Sequence, residues 1–413
     1  MNKINVNIKS EVGKLRAVII HTPGEELENM TPENAEKALY SDILNLSVAS
    51  GEYSQFKGVL NKLVDDVFEV EELLIDILKK DEVKKELVEK ICINENLEYI
   101  KSTLMNMDYK ELAHTLIVGL PLKRNTLTDY LKEERYSLVP LHNLFFTRDA
   151  SVSIGSEVAI SKMASKVRSR EAIIMEAIFK YSTLIETKTF SPDMTSDAIT
   201  IEGGDILIAS EDILCIGMGP RTTAKGIDYL VDYFKEKGNK KHILVQELPH
   251  TPESFIHLDM VFTFLDKDIC MIYEPVILND RFRTIHIDFT KEKVEIFDEK
   301  NLISALEKLG MNLKPMFCGG KDDRWHQERE QWHSGANFLT LAPGKVIGYG
   351  RNTHTINFLD KNGFKVIKAD EVIEGKVNPE NYEKFVITIQ GSELARGGGG
   401  CRCMSMPVYR DEI

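Results

Sequence analysis

Short runs of apolar residues recur along the chain, each followed by a polar or glycine residue and a candidate helix start. Five such runs stand at residues 17–23, 158–161, 213–217, 269–273 and 345–349. Each run predicts a buried strand. The middle runs lie about 55 residues apart, the length of one supersecondary unit, which favours a radial α/β architecture. Any α/β protein also has buried strands at comparable intervals, so the spacing alone leaves both interpretations open.

The interval after the first run is the longest, and its excess falls at residues 52–135, where the pattern is helical. Apolar residues recur there at a spacing of three to four positions, namely Val59, Leu60, Leu63, Val64, Val67, Phe68, Leu73, Leu74, Ile77 and Leu78. We therefore predict an inserted helical domain at 52–135 within an α/β domain formed by 1–51 and 136–413. Upstream, Thr31-Pro32-Glu33 predicts a helix start.

Composition narrows the classes of function. The 413 residues are 43% hydrophobic and carry a formal net charge of −13, which disfavours binding to nucleic acid or to anionic membranes. A small cationic substrate is compatible with this charge. We find no apolar run long enough for a signal peptide or a membrane span, so we expect a cytoplasmic protein. The six cysteines are scattered, which is typical of reduced thiols rather than of a disulfide framework.

The segment most suggestive of chemistry is Arg396-Gly-Gly-Gly-Gly-Cys401-Arg402-Cys403-Met-Ser-Met-Pro407. Glycines beside a thiol let a loop fold over a ligand and present a nucleophile. A flexible tail is an alternative, but the apolar, proline-terminated continuation indicates packing. A phosphate loop lacks its Lys-Ser/Thr, and a Cys-x-Cys metal site lacks partners at a matching spacing.

A nucleophilic thiol needs a base or a charged partner. His257-Leu-Asp259 offers an imidazole and a carboxylate, which share one face if the segment is an extended strand edge. Asp149 and the Glu202-Gly-Gly-Asp205 turn add carboxylates next to apolar residues or glycines, where an unpaired charge is costly unless it meets a cation. Structural roles, such as a helix cap or a simple turn, account for each of these motifs taken singly.

Taken together, one thiol, one histidine and several carboxylates fit a guanidinium substrate. A guanidinium is planar, permanently cationic and rich in donors, so two carboxylates can hold it. Attack on its central carbon requires a thiolate and an acid that protonates the departing nitrogen.

The ordered motifs resemble those of the arginine deiminase family, within the superfamily of guanidine-modifying α/β propellers. The resemblance runs over almost the whole chain, through the segments 13–18, 21–24, 143–149, 167–171, 202–205, 217–222, 257–259 and 402–407. It implies a fold of five ββαβ modules around a pseudo-fivefold axis, with a helical domain inserted after the first module. It also implies hydrolysis of L-arginine to L-citrulline and ammonia through a covalent thiouronium intermediate, with no cofactor and no metal.

The resemblance also implies roles for individual residues. Cys403 is similar to the nucleophile, His257 to the general acid and base, and Glu202 to the partner of both His257 and the substrate. Asp149 and Asp259 are similar to the guanidinium clamps. The remaining residues expected to bind substrate are Asn143, Arg168 and Arg221, at the α-carboxylate, together with Asp205 and Gly397.

The chain departs from the family pattern in a few places. Gly398 stands where many relatives have an arginine, and Cys401 where they have a proline; Trp332-His333-Ser334 and Tyr349-Gly350-Arg351 also differ. Two alternatives stay open: a related agmatine deiminase or amidinotransferase, and a degenerate arginine-binding paralogue. The family further suggests a homodimer or a homotetramer.

Overall fold

A computed structural model of the chain describes residues 3–31, 40, 42–194, 196 and 198–413. The helix start predicted at Thr31-Pro32-Glu33 therefore lies, except for Thr31, outside the described residues. Among the helices described, none combines the length and the apolar character needed to cross a bilayer.

Twenty-two strands are present in the described ranges. In chain order they are β1 (Ile4–Asn5), β2 (Leu15–Ile20), β3 (Asp66–Glu69), β4 (Leu120–Pro121), β5 (Tyr136–Leu138), β6 (Ser151–Ile154), β7 (Glu157–Ile160), β8 (Ile185–Glu186), β9 (Lys188–Phe190), β10 (Ile206–Ser210), β11 (Ile213–Met218), β12 (His242–Glu247), β13 (Phe262–Phe264), β14 (Ile269–Ile272), β15 (Thr284–Asp288), β16 (Glu295–Glu299), β17 (Lys314–Phe317), β18 (Leu339–Ala342), β19 (Lys345–Tyr349), β20 (Lys365–Lys368), β21 (Phe385–Ile389) and β22 (Met406–Arg410).

The α-helices are interspersed with these strands. Those described are Glu25–Glu28, Leu46–Leu63, Val70–Leu78, Asp81–Glu95, Lys101–Asn106, Tyr109–Val118, Leu127–Tyr130, Ser169–Tyr181, Ala224–Glu236, Glu274–Ile277, Leu302–Lys308, Arg324–Trp332, Thr353–Lys361 and Ala369–Ile373. Short 3-10 turns lie at Glu98–Ile100, Lys166–Arg168, Gly203–Asp205, Glu253–Phe255, Leu258–Met260, Pro379–Asn381 and Leu394–Gly397. The protein is thus of the α/β class.

Five of the sheets in the described part share one pairing pattern. In each, a central strand pairs antiparallel with one neighbour and parallel with the other. The sets, with the central strand in the middle, are β22-β2-β3, β6-β7-β9, β10-β11-β12, β13-β14-β17 and β18-β19-β21. The first set joins the last strand of the chain to the second, so the two ends of the chain meet in one sheet.

The five predicted strands are confirmed, and they are the five central strands β2, β7, β11, β14 and β19. These strands are buried along almost their whole length. Their continuous apolar character follows from that position, because a central strand packs on both faces.

The helical stretch predicted at 52–135 is interrupted, which corrects the assignment of Val67 and Phe68 to a helix. They lie in β3, which pairs parallel with β2 through Val18–Val67 and Ile19–Phe68. A short apolar pair fits either period, and here the edge of β2 selects the strand. Helices resume at Val70 and account for most of the chain up to Val118.

Candidate active site

Most of the predicted site residues line one cavity of about 350 Å³. Those at its wall are Asn143, Asp149, Arg168, Arg221, His257, Gly397 and Cys403. The other three are completely buried. Glu202 contacts His257, Asp259 contacts Cys403, and Asp205 accepts from the backbone N–H of Leu258, which follows His257. Residues far apart in the sequence are therefore brought together as the chemical argument requires.

Cys403 lies in the turn that precedes β22, and only 2% of the residue is exposed. Its Sγ lies 3.6 Å from Asp259 Oδ2 and 3.1 Å from Asn337 Nδ2. Burial raises the pKa of the Cys403 thiol well above its usual value, and the charges of Asp259 and Asp149 add to this effect. In this state the sulfur is a thiol, and a cation placed beside it would favour the thiolate.

His257 lies between two carboxylates. Its Nε2 is 2.9 Å from Glu202 Oε2, whereas its Nδ1 is 3.6 Å from Asp149 Oδ1, beyond hydrogen-bonding distance. Burial alone would lower the pKa of His257, but the charge of Asp149 and the hydrogen bond with Glu202 outweigh it and raise the pKa to about 9. The imidazole is therefore protonated at neutral pH, with its Nδ1–H directed away from Glu202.

Glu202 is ionised beneath this histidine. Burial alone would raise its pKa, but the hydrogen bond with His257 and the charge of Arg221 lower it to about 2. Its Oε1 also accepts a hydrogen bond of 2.9 Å from the backbone N–H of Ala164. By contrast, burial raises the pKa of Asp205 to about 7, and Asp205 Oδ1 accepts from the backbone N–H of Leu258 at 2.9 Å.

Asp259 is held by a buried ion-pair chain. Arg402 Nη1 donates to Asp259 Oδ2 at 2.9 Å, and the other edge of the same guanidinium donates to both oxygens of Glu11, at 3.0 and 3.1 Å. Arg402 is 1% exposed. Because one arginine bridges two acids, the Asp259 carboxylate is fixed in orientation beside the sulfur.

Each of the two predicted clamps has one oxygen without a hydrogen-bond partner within the described ranges. Asp149 Oδ2 accepts from Arg168 at 2.7 Å, but Asp149 Oδ1 and Asp259 Oδ1 are buried without a hydrogen-bond partner in the described part of the chain. His257 Nδ1 is also buried without a hydrogen-bond partner in the described residues. Unpaired buried polar atoms are costly, so their concentration here indicates a site for a ligand that supplies donors and positive charge.

Three further residues were predicted to bind the α-carboxylate. Arg168 is engaged in this structure, with Asp149 on one side and Glu171 on the other, at 2.7 and 2.8 Å. Arg221 has a side chain that is 14% exposed, lies 4.0 Å from Glu202 and lines the cavity. Asn143 lines the same cavity. Their contact with a substrate carboxylate stays a prediction.

The strand edge expected at His257 is wrong. His257 has an extended backbone, but a 3-10 turn follows at Leu258–Met260 and the strand begins only at Phe262. The turn brings the Leu258 N–H to Asp205 and places Asp259 beside Cys403. The expected closeness of the two side chains thus arises from a turn rather than from the two-residue period of a strand.

One group of residues in the described ranges could also hold a metal ion. Asp149, Glu202 and His257 offer ligand atoms that all lie within 4.8 Å of one another. A divalent cation there would require His257 to lose its proton, because histidine binds a metal ion only in its neutral form.

Sequence reasoning missed two residues, one that contacts the sulfur and one that holds the neighbouring Arg402. Asn337 contacts Cys403, and Glu11 holds Arg402 from the opposite end of the chain. A polar amide inside the apolar segment Gly335-Ala336-Asn337-Phe338-Leu339 was a usable signal for the first. Glu11 had no local signal, since it lies 391 positions from Arg402.

Known proteins are similar to this chain over almost its whole length. The sequence model of the family described as arginine deiminase matches residues 36–410. The chain belongs to the arginine deiminase family. Arginine deiminases of Streptococcus pneumoniae strain P1031 and Streptococcus gordonii are each 33% identical to it, over 100% and 99% of both chains. The arginine deiminase of Borrelia garinii is 32% identical over 99% of this chain and 98% of its own.

Solved structures of similar shape support the α/β fold of this arginine deiminase family member. An amidinotransferase from Microseira wollei superposes with a TM-score of 0.53 at 15% identity, covering 99% of this chain and 98% of the other. The N-terminal domain of a cyanobacterial arginine dihydrolase, bound to substrate, gives a TM-score of 0.53 at 12% identity, over 95% and 98%. At such identities the likeness is one of fold alone.

The departures from the arginine deiminase pattern have structural consequences. Gly398 has a φ of +83°, in the region that glycine favours, so an arginine at 398 would be strained in this loop conformation. Cys401 is completely buried beside the nucleophile, and burial raises the pKa of its thiol. His333 is partly buried, and burial lowers its pKa to about 4.

Proposed function

We propose that this protein hydrolyses L-arginine to L-citrulline and ammonia. The proposal rests on two carboxylate oxygens, Asp149 Oδ1 and Asp259 Oδ1, which are buried around Cys403 and His257 without a hydrogen-bond partner among the described residues. A guanidinium supplies what these atoms lack, namely several N–H donors and one positive charge in a plane. Membership of the arginine deiminase family supports the same substrate.

Binding of the cation activates the nucleophile. In the free protein the pKa of Cys403 is raised by burial, Asp259 and Asp149. A guanidinium between these two acids neutralises their effect and places positive charge next to the sulfur. The thiol proton is then released to solvent, and the thiolate can attack the central carbon of the guanidinium.

His257 serves first as the acid. As the new S–C bond forms, the guanidinium becomes a neutral tetrahedral adduct. Protonated His257, through Nδ1–H, then gives its proton to one terminal nitrogen, the C–N bond breaks and ammonia leaves. The products of this half-reaction are a cationic thiouronium on Cys403 and a neutral imidazole, so charge and atoms balance.

His257 serves next as the base. It takes a proton from a water molecule, whose oxygen adds to the thiouronium carbon. The S–C bond then breaks, the electron pair returns to sulfur and citrulline forms as its protonated oxygen loses a proton to solvent. Glu202 keeps His257 in place and stabilises its charged form through the 2.9 Å contact.

The α-carboxylate of the substrate is assigned to Asn143, Arg168 and Arg221. Arg221 is the best-placed of the two arginines, because Arg168 already bonds to Asp149 and Glu171. Asp205 and Gly397 complete the proposed substrate site, Asp205 through its contact with the His257 segment and Gly397 at the cavity wall.

We also propose a finer division of the architecture. We assign residues 1–51 and 136–413 to a catalytic domain of five modules around a pseudo-fivefold axis, and 52–135 to an inserted helical domain. The common pairing pattern of the five sheets supports the modules, and the parallel pairing of β3 with β2 suggests that the inserted bundle proper begins near Val70. Assembly as a homodimer or homotetramer and a cytoplasmic location remain predictions.

Product analysis tests the proposed reaction. The purified protein is supplied with L-arginine or agmatine, and citrulline and ammonia are quantified. We expect equimolar citrulline and ammonia from arginine and little turnover of agmatine, which lacks the carboxylate. Turnover of agmatine alone, transfer of the amidine to an added amine, or binding of arginine without ammonia release would each contradict the proposal.

A further inference from the structure

The side chain of Asn337 connects the nucleophile loop to the segment that carries Asp259. Its Oδ1 accepts from the backbone N–H groups of Arg402 and Cys403, at 2.9 and 3.3 Å. Its Nδ2 lies 3.1 Å from the backbone oxygen of Asp259 and 3.1 Å from Cys403 Sγ. The amide orientation is fixed by these partners, because backbone N–H groups only donate and a backbone carbonyl only accepts.

Asn337 is rigidly placed. It is 2% exposed, its own N–H donates to Ser334 O at 3.0 Å, and β18 begins two residues later. The loop approaches it so closely that a Cβ at Gly400 would lie 2.6 Å from Asn337 Oδ1. Glycine at 400 therefore permits the contact, and the amide is a fixed reference against which the loop is positioned.

The donor matters because the carboxylates of Asp259 and Asp149 oppose ionisation of the sulfur. Asp259 lies 3.6 Å from it, and Asp149 faces the same cavity. A hydrogen bond to the ionised form of a group favours that form. An N–H directed at Sγ therefore acts in the same direction as a bound guanidinium, but it is present before the substrate arrives.

We propose that Asn337 is a positioning residue that holds Cys403 for attack and stabilises its thiolate through Nδ2. This inference rests on the proposed function, since it takes Cys403 as the nucleophile. It adds to that function a fixed amide donor at the sulfur.

Substrate-free alkylation is the test. Wild type, Asn337→Ala, Asn337→Ser and Asn337→Asp are treated with iodoacetamide over a range of pH, and modification of the Cys403 peptide is quantified by mass spectrometry. Asn352→Ala is the matched control. Asn352 is also a 2% exposed asparagine, and its Nδ2 donates to His333 O at 2.9 Å, with no bond to Cys403.

We expect the alkylation midpoint to move to higher pH by about one unit in Asn337→Ala. It should move similarly in Asn337→Ser and further in Asn337→Asp, where a carboxylate replaces the donor. With arginine, kcat should fall about 10- to 100-fold, with KM nearly constant. Asn352→Ala should retain the wild-type midpoint.

Unchanged midpoints in those Asn337 variants that retain the wild-type circular dichroism spectrum would overturn the inference. Asn337→Ser keeps a polar group at the site, so it gives a folded variant if Asn337→Ala does not. Alkylation needs no substrate, so this result is independent of the reaction. Failure of wild type to form citrulline would overturn the proposed function instead, and the two failures are thereby distinguished.

Discussion

The guanidinium of Arg402 donates to Asp259 across 2.9 Å, and neither side chain is more than 1% exposed. Arg402 directly precedes the nucleophile Cys403 in the sequence, so this hydrogen bond connects the nucleophile loop to the clamp Asp259. Glu11, near the start of the chain, closes the network from the other side. The position of the sulfur relative to the clamp thus depends on a contact between the two ends of the chain.

Removing the charge of Glu11 should destabilise the fold. Glu11→Gln leaves Arg402 buried with one acid instead of two, so we expect the free energy of unfolding to fall by about 3 kcal/mol at pH 7. Urea denaturation measures this. Glu211, an exposed partner of Lys9, supplies the control. In Glu211→Gln the free energy of unfolding should fall by less than about 1 kcal/mol.

The effect of Glu11 should also depend on pH. Burial alone would raise its pKa, but the charges of Arg402 and Arg148 lower it to about 2 from an ordinary value of 4.5. Its contribution to stability is therefore complete above pH 4.5 and is lost as the pH falls through about 2. The difference between wild type and Glu11→Gln should shrink over that window, and a difference independent of pH would contradict the assignment.

The two cysteines of the glycine-rich loop should behave differently. Cys403→Ala should abolish citrulline formation, because it removes the attacking atom. Cys401→Ala should retain most of the activity and lose about 1 kcal/mol of stability, since Cys401 is a completely buried thiol that only packs. The opposite pattern in an activity assay would show that the nucleophile is wrongly chosen.

Glu202 should set the alkaline limit of activity. His257 must carry its proton for ammonia to leave, so kcat/KM of the wild type should decline above pH 9 or so, the value to which its pKa is raised. Glu202→Gln removes one of the carboxylates that oppose burial, so the pKa of His257 falls. We expect the pH above which kcat/KM declines to fall by about one unit.

A buried glutamate elsewhere provides the control for that experiment. The side chain of Glu299, at the end of β16, is 1% exposed. Its Oε1 lies 3.6 Å from Nδ1 of His286 in β15. Glu299→Gln should leave the pH profile of kcat/KM unchanged. If kcat/KM of Glu202→Gln declines at the same alkaline pH as that of the wild type, the proposed role of Glu202 is wrong.

Arg221 should discriminate arginine from agmatine. Arg221→Gln removes a charge-assisted hydrogen bond to the α-carboxylate, so kcat/KM for arginine should fall by about 10- to 100-fold. Any slow turnover of agmatine should change little. The exposed Arg283, paired with Asp298, supplies the control Arg283→Gln. Equal losses for both substrates would place Arg221 outside the carboxylate site.

The sequence predicted those parts of the fold that leave a local pattern. The apolar runs could be assigned to strands from the sequence because central strands are apolar on both faces. These runs became β2, β7, β11, β14 and β19. Val67 and Phe68 were misread because two apolar residues fit either a helix or a strand, and only pairing with β2 decides between them.

The site shows the same limit. The thiol, the imidazole and the acids were identified from residue type and motif, whereas their geometry came from long-range contacts. A turn at Leu258–Met260, rather than a strand, places Asp259 beside Cys403. Asn337 and Glu11 were missed because their roles arise from partners 66 and 391 positions away.

Trapping of the covalent intermediate shows which atom attacks the guanidinium. The protein is mixed with L-arginine, quenched with acid during turnover, digested and analysed by mass spectrometry. We predict that the peptide containing Cys403 gains the mass of arginine less one ammonia, and that fragmentation places this mass on Cys403 rather than on Cys401. Turnover of arginine with no adduct at Cys403, or with the adduct on another residue, would show that Cys403 is not the nucleophile.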